Sequence, residues 1–230
     1  MIGLTLAQVN ARHFITLFGQ DYPCDALDND ELELFNAQFN ELVGTTDSIL
    51  RRILEPRALT IANGLRAIKN EMNSPMFRGI NPSDGELGWS FIRPEFVKAN
   101  NVIINDWNVT LTGMATWDRW LDATATTGFV LSEEHGLIIT HLTSEVTPSP
   151  FARGVHFKVG RADLIPYDIS DIILGDNENN VSHYPIPTMV VKPEAELLST
   201  ITGVVGTEYL KLGGFVVGLG RRLKAETPAW

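Results

Sequence analysis

Val155-His156-Phe157-Lys158-Val159-Gly160 is the stretch that decides how the second half of this chain is built. Its apolar residues fall on every second position, the repeat of a strand with one face in a core and the other towards solvent. Asn108-Val109-Thr110-Leu111-Thr112 alternates in the same way. The segments Val102 to Leu111, Phe129 to Leu131, Leu137 to Leu142, Val155 to Leu164, Thr188 to Val191 and Tyr209 to Leu219 all read as strands, punctuated by Gly, Pro and Asn. Half-buried strands belong in antiparallel sheets. Helical patterns do not alternate with them, which excludes a doubly wound nucleotide-binding fold and favours a sandwich or barrel with helical additions.

Upstream the repeat changes. Leu32, Phe35, Phe39 and Leu42 recur at steps of three and four, with Asn29 or Asp30 as the expected cap and Gly44 as the stop. Thr45-Thr46-Asp47-Ser48 offers acceptors to the next helix, and Pro56, lacking an N–H, breaks or kinks it. Ala58, Ile61, Leu65, Ile68 and Met72 then continue as a short heptad seam. The seam serves either an antiparallel helical pair packed on the rest of the chain or a contact between copies. From Asn73 to Pro94 the composition turns to Asn, Ser, Pro and Gly, as in Asn81-Pro82-Ser83-Asp84-Gly85, and reads as loop. The expected fold class is therefore α+β: a helical N-terminal region, 1–94, followed by a β-rich domain, 95–230, of antiparallel sandwich or barrel type, with a jelly roll as one form.

Three further features belong to this reading. Asp176-Asn177-Glu178-Asn179-Asn180 leads into Tyr184-Pro185-Ile186-Pro187, whose prolines favour extended backbone, so 176–187 is expected to be an arm. Thr147-Pro148-Ser149-Pro150 is a second stiff link. Gly213-Gly214 and Gly218 mark bulges or a close backbone approach in the last strand.

The chain has 230 residues, 44% hydrophobic and 20% charged, which is the composition of an ordinary globular protein. Its formal net charge is −10, and neither half is basic: eight Lys and Arg stand against 13 Asp and Glu in 1–95, and ten against 15 beyond. Phosphate neutralisation needs a cationic surface, so nucleic-acid contact is at most secondary, through Arg51-Arg52 or Arg221-Arg222-Leu223-Lys224, and docking on an anionic membrane is disfavoured. Cys24 is alone, which precludes an intramolecular disulfide. Met1-Ile2-Gly3-Leu4-Thr5-Leu6 lacks the basic start and apolar run of a signal peptide, so an intracellular site of assembly is expected and the sequons at Asn108 and Asn180 read as chance matches.

Motifs for catalysis are missing. Gly218-Leu219-Gly220 lacks the third glycine of a dinucleotide loop, no Ser stands in a Gly-x-Ser-x-Gly elbow, and Cys24 has only His13 near it in sequence. Glu133, Glu134, His135 and His141 are the densest set of metal-type ligands, yet His141 also reads as one more alternating strand position. The acidic runs Asp25, Asp28, Asp30, Glu31 and Asp176, Glu178 lack the spacing of a helix-loop-helix calcium site. Trp107, Trp117 and Trp120 cluster in sequence, and Trp117 and Trp120 would share one face of a helix. They are candidates for stacking a sugar, or for a core. No catalytic, cofactor-binding or metal residue is assigned, and no cofactor or enzyme activity is expected.

Val155-His156-Phe157-Lys158-Val159-Gly160-Arg161-Ala162-Asp163-Leu164 and Tyr209-Leu210-Lys211-Leu212-Gly213-Gly214-Phe215-Val216-Val217-Gly218 resemble, in texture, the late strands of virion coat proteins, including those with jelly-roll sheets. The resemblance covers the final third of the chain. It implies a virion structural protein, capsid or accessory component, whose partners are copies of itself and other virion proteins and which is assembled in the host cytoplasm. Its contacts would run through the C-terminal strands, the 176–187 arm and the N-terminal helices. The alternative is a carbohydrate- or ligand-binding β module using Trp107, Trp117 and Trp120.

Overall fold

The computed structural model describes residues 13–44, 48–72, 87–97, 107–121, 128–144, 151–169, 174–176 and 181–219. The Thr45-Thr46-Asp47 acceptors, the 81–85 loop, the 147–150 link, residues 177–180 of the acidic run and the Arg221-Arg222-Leu223-Lys224 cluster lie outside them. The chain is α+β, with its antiparallel strands in a sandwich-like arrangement.

The first elements are a hairpin, β1 (Phe14–Leu17) and β2 (Gln20–Pro23). Its two-residue turn, Phe18-Gly19, has positive φ at both positions (53° and 79°), the geometry that matches strand twist in tight hairpins. Helix α1 (Asn29–Gly44) begins one residue earlier than a cap at Asn29 would place it, because Asp28 is the cap. The Asp28 carboxylate accepts from the Glu31 N–H (2.9 Å) and Glu31 Oε2 accepts from the Asp28 N–H (3.1 Å), a reciprocal capping box. Helix α2 (Ser48–Leu54) runs into a 3₁₀ turn at Glu55–Arg57 containing Pro56, and α3 (Ala58–Met72) follows.

One sheet has the order β11 (Leu174–Asp176), β12 (Val181–Val191), β7 (His135–Ser144), β14 (Gly206–Leu219), β3 (Leu87–Phe91), with β4 (Asn108–Leu111) pairing the first part of β14. The second has the order β10 (Tyr167–Asp168), β8 (Ala152–Val159), β13 (Glu196–Gly203), β5 (Asp118–Arg119), with β6 (Phe129–Val130) on β13 and β9 (Ala162–Asp163) on β8. The long strands β7, β8, β12, β13 and β14 switch sheet at each step along the chain. Leu137, Leu142, Tyr184, Leu210 and Leu212 from the first sheet meet Val155, Phe157, Leu197 and Ile201 from the second in the main core.

The other face of the first sheet is covered as well. Ile138, Phe215 and Val217 point away from the sandwich and join Phe35, Phe39, Leu65 and Ile68 in a second core under the helices and the hairpin. Trp89 of β3 sits between them, 5.5 Å from Phe35 and 5.2 Å from both Phe39 and Phe215 (ring centroids), and its indole N–H donates to the Phe35 carbonyl (3.1 Å). Burying each such side chain stabilises the fold by about 1.5–3 kcal/mol, so the helices are held by this face rather than by their own propensity. Gly64 and Gly136 allow the close approach: a Cβ at Gly64 would stand 3.0 Å from Val190 and one at Gly136 2.9 Å from Ile68.

This arrangement corrects several sequence expectations. The seam Ala58, Ile61, Leu65, Ile68, Met72 takes the first of its two expected uses, buried against the sheet of its own chain, whereas other segments depart from expectation. Leu87–Phe91, read as loop, is a strand whose side chains complete the second core. The described part of the expected arm, 176 and 181–187, belongs to the end of β11 and to β12, which pairs with β7 from Ser182 to Pro185. Proline is tolerated there because β11 reaches only Val181–His183, so Pro185 and Pro187 lie where no further described strand pairs on that side. β13 was missed, although Leu197, Ser199 and Ile201 alternate inward, because its polar Ser and Thr content masks the pattern.

Glu208 ties the two sheets together inside the core. It is 3% exposed; one carboxylate oxygen accepts from the Ser144 hydroxyl of β7 (2.8 Å) and the other from the Ala152 N–H of β8 (2.9 Å). Removing a satisfied buried acceptor leaves its donors desolvated, at about 1–3 kcal/mol each. Glu208→Ala is expected to lower stability by about 3 kcal/mol and Glu208→Gln by less, measured as a shift in urea midpoint at unchanged slope.

Candidate functional site

The candidate residues of the sequence do not come together. His135 and His141 share β7, but Thr140 is an extra residue there: Gly213 pairs with His141 and Gly214 with Ile139. The bulge shifts the alternation, so Ile139 and Leu142 both face the main core. His135 packs edge-on to Phe96 in that core (5.3 Å), while His141 is displaced to the opposite, helix-facing side. A shared site with Glu133 is thereby ruled out, and among the described residues no group of three or more metal-type ligands gathers.

Trp107 and Trp120 are both 2% exposed and part of the core; Trp117 alone is at the surface. The helical spacing expected for Trp117 and Trp120 does not apply, because the segment is a turn leading into β5. Cys24 is fully buried, and burial, with Asp25 second, pushes its thiol up to about 11, so it is inert as a nucleophile. Asp25 faces Arg66 at 3.8 Å, and Glu31 pairs with Lys69 of α3. These acids bind the helical layer together.

What the structure does bring together is His141 with His183. The rings are 5.9 Å apart, both are 4% exposed, and they line a cavity of about 250 Å³ between α2 and the first sheet. His141 Nδ1 shares a hydrogen bond with the Thr140 hydroxyl (2.8 Å), and His183 Nδ1 with the Thr143 hydroxyl (3.1 Å). Gly213 creates the space: any Cβ there would collide with the His141 ring. Leu50, Phe91, Ile92, Val181 and Leu212 supply apolar walls, and Lys211 lies at the same cavity. Burial first, then the neighbouring His183, Lys211 and Arg57, hold the His141 imidazole down to about 3. It is neutral at ordinary pH, a hydrogen-bonding group rather than a general acid. His183 escaped sequence reading because it is 42 positions from His141, in a segment taken for an arm.

A second feature is on the surface. The outward side chains of the second sheet, Arg153, His156 and Lys158 of β8 and Leu198, Thr200 and Thr202 of β13, are half-buried. At one end the 113–117 turn rests on the β13–β14 turn, where a Cβ at Gly113 would contact Val205 at 3.9 Å and the Thr202 hydroxyl donates to the Met114 carbonyl (3.2 Å). Asp118 holds the turn by accepting from the Thr112 N–H and hydroxyl, each at 2.7 Å. Met114 (69%), Trp117 (46%), Val204 (43%) and Val205 (67%) are exposed there. Trp117 lies over Gly154 and edge-on to His156 (6.0 Å), itself 2.6 Å from Asp163.

Comparison with protein-family models, with curated proteins and with solved structures found no match.

Proposed function

We propose that this chain is a structural component of a virion, acting through contacts with copies of itself and with other virion proteins and assembled in the host cytoplasm. The observation that carries the reading is the exposed group Met114, Trp117, Val204 and Val205, presented by a hydrogen-bonded turn at the end of the second sheet. Large apolar side chains held rigidly at a surface stabilise association when a partner covers them. The rest of the molecule supports the same division of labour, since the helices are occupied with covering the first sheet.

A stable contact of this kind buries more than about 1,000 Å². Sedimentation velocity over a wide concentration range is expected to show self-association, and Trp117→Asp with Val205→Asp to weaken it by about ten-fold or more, equivalent to about 1.4 kcal/mol. A chain that stays monomeric at every concentration and fails to co-purify with particles would end the proposal. The sugar-binding alternative retains only Trp117 as a stacking surface; a glycan whose binding is lost in Trp117→Ala without loss of association would favour it.

A further inference from the structure

We infer that the cavity between α2 and the first sheet is a binding site for a small amphipathic carboxylate. Two features of the cavity define this ligand. The first is charge. His141, His183 and Lys211 line one space, while no carboxylate lines the cavity among the described residues. A chain with net charge −10 does not gather basic nitrogens into one pocket by composition alone. Anions are stabilised where N–H donors and positive charge converge in a partly dry site. The charged groups of the surrounding elements are Arg51 and Arg52, exposed on α2, Glu55 and Arg57 on the 3₁₀ turn, with Glu55 3.6 Å from Arg51, Lys211 and Glu208 on β14, with Glu208 bonded to Ser144 and Ala152, and Asp176, which is paired with Val181 in the β11–β12 register.

The second feature is the lining. Leu50, Phe91, Ile92 and Val181 make most of the wall apolar, which disfavours a fully hydrated ion such as sulfate and favours a hydrocarbon body attached to the anion. A volume of about 250 Å³ corresponds to about eight waters at ~30 Å³ each, so the ligand is smaller than a drug-sized molecule. A six-carbon chain or one benzene ring with a single carboxylate fits that space. The carboxylate lies towards Lys211 and the imidazoles, and the hydrocarbon towards α2. Gly213 is what keeps the imidazole side of the cavity open.

Hexanoate and its neutral counterpart hexanol distinguish this site from a merely greasy cavity. Calorimetric titration of the full chain is expected to show saturable hexanoate binding, with hexanol at least about ten-fold weaker. Lys211→Met, which keeps the length of the side chain, is expected to weaken hexanoate about ten-fold and leave hexanol unchanged. Leu50→Trp, which fills the cavity from α2, is expected to abolish both while circular dichroism stays native. Hexanol binding as tightly as hexanoate, or hexanoate binding unaffected by Lys211→Met, overturns the inference, as does the absence of saturable hexanoate binding. Because the site is on the helix side of the molecule, a variant carrying Trp117→Asp and Val205→Asp is expected to bind hexanoate as the wild type does.

Discussion

Acidification from pH 6.5 towards pH 3 removes stability from this protein as His141 titrates. The ordinary imidazole, as in the unfolded chain, takes up its proton near 6.5, whereas the folded one resists until about 3. Between those values the unfolded state holds the extra proton. Stability is therefore fully present above 6.5, falls as the pH drops through the window, and stops falling on this account below about 3. Each unit of pH in the window is worth about 1.4 kcal/mol, and the whole window about 3–5 kcal/mol, a large share of the stability of a typical domain. The cause is structural: a protonated His141 would be a buried cation beside His183, Lys211 and Arg57. The measurement is urea denaturation at a series of pH values for the wild type and His141→Gln. Carboxylates contribute below about pH 5 in both proteins, so the diagnostic interval is 6.5 down to 5. There the wild-type slope is expected to exceed that of the variant by about 1 kcal/mol per unit; equal slopes would refute the assignment.

Gly214→Ala is expected to be the most damaging single methyl addition tested, at about 4 kcal/mol or more. Gly214 has φ of +139°, a region that residues with a Cβ rarely adopt, and a Cβ built there collides with the Ile138 carbonyl oxygen across the strand pair. Backbone strain of this kind costs about 1–3 kcal/mol, and the collision adds to it because both faces of the sheet are packed and neither strand has room to move. The consequence reaches the cavity, since the same bulge turns His141 towards α2. Gly19→Ala is the control. Gly19 also has positive φ, +79°, but nothing lies within 4 Å of the new methyl, so the expected cost is about 1 kcal/mol. Thermal unfolding of the two variants is expected to separate them clearly; similar losses would mean that the bulge relaxes freely.

Both experiments concern features that were only partly legible in the chain. Gly213-Gly214 could be marked in advance as a bulge or close approach, because a glycine pair inside an apolar strand has few other uses. Which side chain it would release was not legible. The alternation of Leu137, Ile139 and His141 assumes a regular strand, and the extra residue Thr140 breaks that assumption at the one position that matters. The tryptophans failed differently. Spacing alone cannot tell a helix face from a turn, and so Trp117 and Trp120, grouped in sequence, end up on the surface and in the core respectively.

The sequence by itself determined the α+β class, the antiparallel strands, the two amphipathic helices and the break at Pro56, because each follows from a local repeat or from a residue that removes a hydrogen bond. The tertiary structure alone decided that the heptad seam closes on its own sheet, that β12 runs through its prolines, and that His183 meets His141. These depend on pairings between segments tens of residues apart, where strand register, rather than the composition of either segment, sets which side chains share a face.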